Sequence, residues 1–175
     1  GNHQLNIWAQ DSAGNVTVNS QVVTVNFNSF LAIGQSNLTS IDQAADAFSN
    51  PIDITVSSDG AYYAVTDAGN HRVLIYNNDP ITSTPIIVLG QNSLTQVGAS
   101  SNITDVSNLV TAANFNNPYG VSIVGNSSSG YKIIVSDDQR NRVLIWNSMP
   151  TSHGQNADIV LGQSNFSNSG ANSSQ

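Results

Sequence analysis

Residues 48–77 and 115–147 are two versions of one text, and a chain that repeats itself in this way folds as repeated units. Phe48-Ser49-Asn50-Pro51, leading to Thr66-Asp67-Ala68-Gly69-Asn70-His71-Arg72-Val73-Leu74-Ile75-Tyr76-Asn77, returns as Phe115-Asn116-Asn117-Pro118, leading to Ser136-Asp137-Asp138-Gln139-Arg140-Asn141-Arg142-Val143-Leu144-Ile145-Trp146-Asn147. Each copy runs on to a Gly-Gln pair, in Ile87-Val88-Leu89-Gly90-Gln91 and Ile159-Val160-Leu161-Gly162-Gln163. Asp67 and Asp137 are 70 residues apart, Gly90 and Gly162 72. A third Gly-Gln segment, Leu31-Ala32-Ile33-Gly34-Gln35, precedes the first copy. A repeat unit cannot bury its apolar faces by itself, so stacking on neighbours is what stabilises it. Two units are too few to close a ring.

Composition narrows the setting. Charged residues make up 9% of the 175-residue chain, against about 25% in an average soluble protein. Polarity comes instead from 24 Asn and 25 Ser, a balance common in exported surface proteins and fibres. Net charge is −7 with four basic residues, Arg72, Lys132, Arg140 and Arg142. Backbone binding to nucleic acid needs a stripe of Lys and Arg, so nucleic acid is excluded as a partner. No stretch of eighteen apolar residues and no leader-like segment is seen, so neither membrane insertion nor a signal peptide is expected. The absence of Cys removes disulfides and thiolate metal sites. Six Asn-x-Ser/Thr triplets occur, which this abundance of Asn, Ser and Thr accounts for by chance.

Hydrophobic periodicity predicts an all-β chain. Leu5, Ile7 and Ala9 alternate, as do Val23, Val25 and Phe27, with the turn signal Asp11-Ser12-Ala13-Gly14-Asn15 between the two runs; this is a hairpin over residues 1–27. Within 28–175 the repeats, about 46–91 and about 115–163, offer four strands each. These are 52–56, 61–66, 72–76 and 86–89, then 121–124, 132–136, 142–146 and 159–161. Four antiparallel strands per repeat is the layout of a propeller blade. The second copy carries three extra residues in Gly125-Asn126-Ser127-Ser128-Ser129-Gly130, a flexible hairpin tip. The longer connection 92–114, with Gly98-Ala99-Ser100-Ser101-Asn102 inside it, is a candidate binding loop.

The succession Phe-x-x-Pro, apolar strand, Gly, second strand ending in Asp, then Asn-His-Arg-Val resembles the NHL repeat, and the Val-Leu-Gly-Gln tail resembles its long-period bacterial subset. The likeness runs over about residues 28–165; the second copy departs from it by placing Asn141 where the first has His71. Ala9, Asp11, Ala13, Gly14 and Asn15 are similar to the final turn of bacterial Ig-like or fibronectin-like modules. These resemblances imply β-propeller blades following a terminal hairpin. Such propellers have about six blades, so closure calls for an oligomer, a homotrimer being the simplest, or for blades this sequence does not contain. The leading strand Phe30–Gln35 and Val160–Gln163 would then compete for one sheet edge.

Few residues offer chemistry. Asp67 with Arg72, and Asp137 with Arg142, flank tight turns; they are either a repeated ligand clamp or, as the resemblance implies, structural pairs holding each turn. His71, His153 and His3 sit at unlike repeat positions, and neither they nor Asp59, Asp137 and Asp138 form a metal-ligand pattern, so no metal or other cofactor is expected. There is no nucleophile elbow or phosphate-binding glycine loop. Tyr76 and Trp146 share one repeat position and are expected to pack between blades. Tyr119, beside Gly120 at the start of an inner strand, is the leading ligand contact; Asp53, which stands where the second copy has Gly120, and His71 and His153 complete the candidate set. The expectation is a non-catalytic extracellular or cell-surface recognition or adhesion module, such as the tip of an exported fibre, for a glycan or protein ligand. The competing expectation, implied by the resemblance, is part of a metal-dependent lyase or lactone hydrolase.

Overall fold

The computed structural model describes residues 3–10, 16–23, 47–77, 84–96 and 110–171. The turn expected at 11–15, the leading strand at 30–35, the loop tip at 98–102 and residues 25 and 27 lie outside these. The chain divides into two compact units, Gly1–Ala32 and Ile33–Gln175. In the first, β1 (His3–Gln10) pairs antiparallel with β2 (Val16–Val23), from His3 opposite Val23 to Gln10 opposite Val16.

The second unit holds two four-stranded antiparallel sheets in chain order, one per repeat. The first is β3 (Pro51–Val56), β4 (Tyr62–Asp67), β5 (Arg72–Asn77) and β6 (Ile87–Leu89). The other is β7 (Pro118–Asn126), β8 (Gly130–Asp137), β9 (Arg142–Trp146) and β10 (Ile159–Leu161). No α-helix occurs among the described residues; a single 3-10 turn joins β4 to β5 and another joins β8 to β9. Short alternating runs rich in Val, Ile and Tyr favour a pleated surface with one side buried, which is why these segments pair as strands.

The repeat signature is legible as backbone geometry. Its non-glycine residues with left-handed backbone are Asn50 and Asn117 before the first strand, and His71 and Asn141 closing the 3-10 turns. Asn tolerates that region better than most residues, and His71 occupies it in the first copy at φ 54° against 50° for Asn141. Gly90 and Gly162 adopt φ 89° and 85°. A Cβ on Gly90 would lie 2.5 Å from the His71 carbonyl oxygen, and one on Gly162 2.9 Å from that of Asn141. Glycine is needed there to let the strand tail reach the turn, where the next residue docks: Gln91 Nε2 donates to Asn70 O (2.9 Å) and Gln163 Nε2 to Asn141 O (2.9 Å).

Both first strands break register at the same place, between Pro51 and Ile54 and between Pro118 and Val121. A hydroxyl from the neighbouring strand mends each bulge. Asp53 N donates to Thr66 Oγ1 (2.8 Å) and Gly120 N to Ser136 Oγ (2.7 Å). The predicted strand 121–124 is therefore only part of β7, which begins at Pro118 and runs to Asn126. The segment expected as a flexible tip is fastened: Asn126 Oδ1 accepts from Ser128 N (2.9 Å) and Ser129 N (3.0 Å).

The two sheets stack. Ala64, Val73, Ile75, Ile87 and Leu89 on the rear face of the first meet Val121, Ile123, Ile133, Val135, Leu144 and Trp146 on the front face of the second, with Phe115 between. β7 lies against β3 and β4. Phe115 and Trp146 meet edge to face, ring centroids 6.0 Å apart, and the indole donates to Gln155 O (3.0 Å). Tyr76, the repeat partner of Trp146, packs instead in a smaller cluster with Val65, Leu74 and Val88 on the front face of the first sheet.

Candidate functional site

Each repeat is closed by a buried ion pair. Arg72 Nε lies 2.7 Å from Asp67 Oδ2 and Arg142 Nε 2.9 Å from Asp137 Oδ2, with all four side chains inaccessible. Asp67 Oδ1 accepts from Ser49 N (2.6 Å) and Asp137 Oδ1 from Asn116 N (2.7 Å). The guanidinium of Arg72 donates to Ala47 O (3.1 Å), Leu94 O (3.0 Å) and Gln96 O (3.0 Å). That of Arg142 donates to Asn114 O (2.7 Å) and Phe166 O (2.8 Å). The carbonyls correspond between repeats: each arginine ties the segment entering its sheet to the segment leaving it. Burial pushes the Asp137 carboxyl up, while the Asn116 N–H and Arg142 hold it toward the ionised form. With both oxygens of each carboxylate engaged and the side chains inaccessible to solvent, these pairs offer no exposed atom to a ligand.

The other candidates stand between the sheets. Asp53 Oδ2 accepts from Val121 N (2.9 Å). His71 Nδ1 accepts from Asn117 N (3.2 Å), and His153 Nδ1 from Val88 N (3.2 Å). At the opposite end of the strands Asp59 Oδ2 takes Ser127 N (2.9 Å) and the Tyr131 hydroxyl (2.7 Å), while Tyr131 meets Tyr62 edge to face at 4.8 Å. The Tyr131 bond, with those from Ser57 and Ser127, holds the Asp59 carboxyl far below the usual carboxylate range, and the same bond lifts the Tyr131 phenol to about 12. None of these inter-sheet bonds is visible in the sequence, because each joins residues 46 or more positions apart. Thr66, whose hydroxyl donates to Tyr119 O (3.1 Å), is a positioning residue that sequence reasoning passed over; its one signal was the hydroxyl shared with Ser136 at the same repeat position.

His71 makes a pH prediction. Its Nδ1 is an acceptor, so the ring is unprotonated there, and burial followed by the Arg140 charge lowers its pKa below 6.5. The unfolded chain takes up a proton near 6.5 while the folded chain resists, so stability present above that pH is lost as pH falls below it. Replacing His71 by Asn, the residue the second repeat uses, is expected to flatten the fall in denaturation midpoint between about pH 7.5 and about pH 5. Urea titrations of both proteins across that range check it.

Tyr119 differs from all of these. Its backbone is held by Thr66 and flanked by buried Pro118 and Val121, yet the residue is 56% exposed. It stands at the strand end shared by the 3-10 turns and the starts of β3 and β7, two residues from Val121 and from Asn117, whose N–H groups donate to Asp53 and His71. Among the described residues no group of three His, Asp or Glu is placed to hold a metal ion. Neither a protein-family model, nor a curated protein, nor a solved structure matches this chain.

Proposed function

We propose that the chain is a pair of NHL-like β-propeller blades serving as a non-catalytic recognition or adhesion module at a cell surface, where the strand end around Tyr119 receives a glycan or protein ligand. The two repeats, their four-stranded order and their face-to-face stacking support the blade reading. The observation that carries the recognition reading is the contrast between Tyr119 and its surroundings: an exposed aromatic ring on a locked backbone, among ionisable groups committed to holding the sheets together. A rigid, exposed aromatic supplies contact area with little ordering entropy, which suits sugar faces and peptide side chains. The low charge and abundance of Asn and Ser fit an exported surface.

The test is a glycan and peptide array probed with the chain and its Tyr119→Ala variant. For the best ligand found, the variant is expected to bind at least about tenfold more weakly, a loss of about 1.4 kcal/mol, with an unchanged melting temperature. Equal binding by the variant would remove Tyr119 from the site. Turnover of a lactone or polysaccharide on addition of divalent metal would replace this reading with the enzymatic one.

A further inference from the structure

Bonds from the first repeat hold one short segment of the second, residues 117–121, at alternate positions. His71 Nδ1 accepts from Asn117 N (3.2 Å), Thr66 Oγ1 donates to Tyr119 O (3.1 Å), and Asp53 Oδ2 accepts from Val121 N (2.9 Å). The second repeat fastens the residues between and before: Asn116 N donates to Asp137 Oδ1 (2.7 Å), Asn116 O accepts from Gln139 N (3.3 Å), and Gly120 N donates to Ser136 Oγ (2.7 Å). Exposed Tyr119 sits in the middle of this segment. Asn117 has a left-handed backbone, φ 65°, a conformation that a non-glycine residue keeps where its surroundings hold it. The His71 ring is what holds its N–H.

We infer that His71 is a proton-sensitive latch on the segment that presents Tyr119, closed while its Nδ1 accepts the Asn117 N–H and opened when that nitrogen takes up a proton. The protonated ring carries hydrogen on both nitrogens, so Nδ1 and the Asn117 N–H then meet donor to donor and the bond is lost. Tyr119 keeps the Thr66 and Asp53 ties at and after it and loses the one before it. Imidazole is the side chain whose ordinary titration falls between about pH 5 and about pH 8, and His71 is only half-buried, within reach of solvent protons. The inference rests on the reading of Tyr119 as the ligand contact for its consequence, weaker ligand binding in acid.

Burial, and then the Arg140 charge on the second 3-10 turn, disfavour the imidazolium; Asp137 at the end of β8 and Asp67 at the end of β4 favour it, and the balance lies with the neutral ring. Release of Asn117 lets the ring titrate nearer its ordinary value, so the closed latch is favoured above about pH 6.5 and loses ground as pH falls. Between about pH 7.5 and about pH 5 the released population rises by up to about thirtyfold, the limit set by a ring of ordinary pKa in the released state. The second repeat has no such device. Asn141 takes the equivalent left-handed position, and its Nδ2 donates to Ser169 O (3.0 Å), a bond that needs no titrating group.

Amide hydrogen exchange of the full chain is the test, followed residue by residue by NMR and expressed as protection relative to the unfolded rate at each pH. From about pH 7.5 to about pH 5, protection of Asn117 is expected to fall by between about threefold and about thirtyfold, while Gly120, held by the Ser136 hydroxyl, keeps its protection. His71→Asn retains an acceptor on the atom bonded to Cγ and does not titrate, so it is expected to abolish the fall. His153→Asn, which removes the imidazole that accepts from Val88 N, is expected to leave it unchanged. Equal protection of Asn117 at the two pH values in the wild type would overturn the inference. So would a fall that persists in His71→Asn, disappears in His153→Asn, or is shared in full by Gly120, which marks general unfolding. The glycan and peptide array read at both pH values reports on Tyr119 separately. A signal that weakens in acid for the wild type and not for His71→Asn is the expected result; an array silent at both overturns the recognition reading, while exchange still decides the latch.

Discussion

Replacing Arg72 by Met is expected to lower the unfolding free energy by about 3–5 kcal/mol. The substitution leaves the Asp67 carboxylate fully buried beside Ser49 N and Asn70 Nδ2 with its counter-charge removed. It also unfastens Ala47, Leu94 and Gln96, whose carbonyls the guanidinium gathers. An isolated buried charge costs far more than a paired one, whereas an apolar pair of similar volume is often tolerated. The double variant Asp67→Leu/Arg72→Met is therefore expected to recover part of the loss in urea denaturation, and Arg72→Lys to recover little, since an ammonium cannot reach three carbonyls and a carboxylate in one plane. A cost near zero for Arg72→Met would mean the pair is not closed as described.

The second large effect is expected at Trp146→Ala, again about 3–5 kcal/mol. The indole is wholly buried between the sheets, against Phe115 and with its N–H satisfied by Gln155 O. Its removal opens a cavity in the stacking layer and leaves the Gln155 carbonyl without that donor. The corresponding Tyr76→Ala change strikes the front-face cluster instead, so the two variants separate loss of stacking from loss within one sheet. Denaturation followed by the tryptophan-independent far-UV signal measures both. Trp8 in the hairpin remains as a fluorescence reporter of the other unit.

Much of the strand layout was legible because alternation and the repeat pointed the same way. Residues 72–76 and 142–146 read as strands from Arg-Val-Leu-Ile followed by an aromatic, and β5 and β9 begin at those arginines. The bulge was hidden: nothing in Pro51-Ile52-Asp53 or Pro118-Tyr119-Gly120 marks a register shift, which becomes visible only when Thr66 and Ser136 are placed across from them. The roles of Asp53, His71 and His153 were hidden for a related reason. A carboxylate or imidazole looks available for a ligand until a backbone N–H of the other repeat is found donating to it. Long-range partners of this kind are set by how the sheets stack, and local pattern carries no record of it. The asymmetry between His71 and Asn141 has a local component that the backbone explains, since both residues share one left-handed position.

The claim on which the rest depends is that the second sheet covers the rear face of the first while leaving its own rear face open. The chain contains no Cys, so a single introduced thiol reports one position cleanly. The decisive measurement compares labelling rates of Leu89→Cys and Leu161→Cys with a small thiol reagent under native conditions. Leu161→Cys is predicted to react at about the rate of a free thiol, and Leu89→Cys only through unfolding, orders of magnitude more slowly. Equal rates at the two positions would contradict the stacking, and with it the reading of the two sheets as propeller blades.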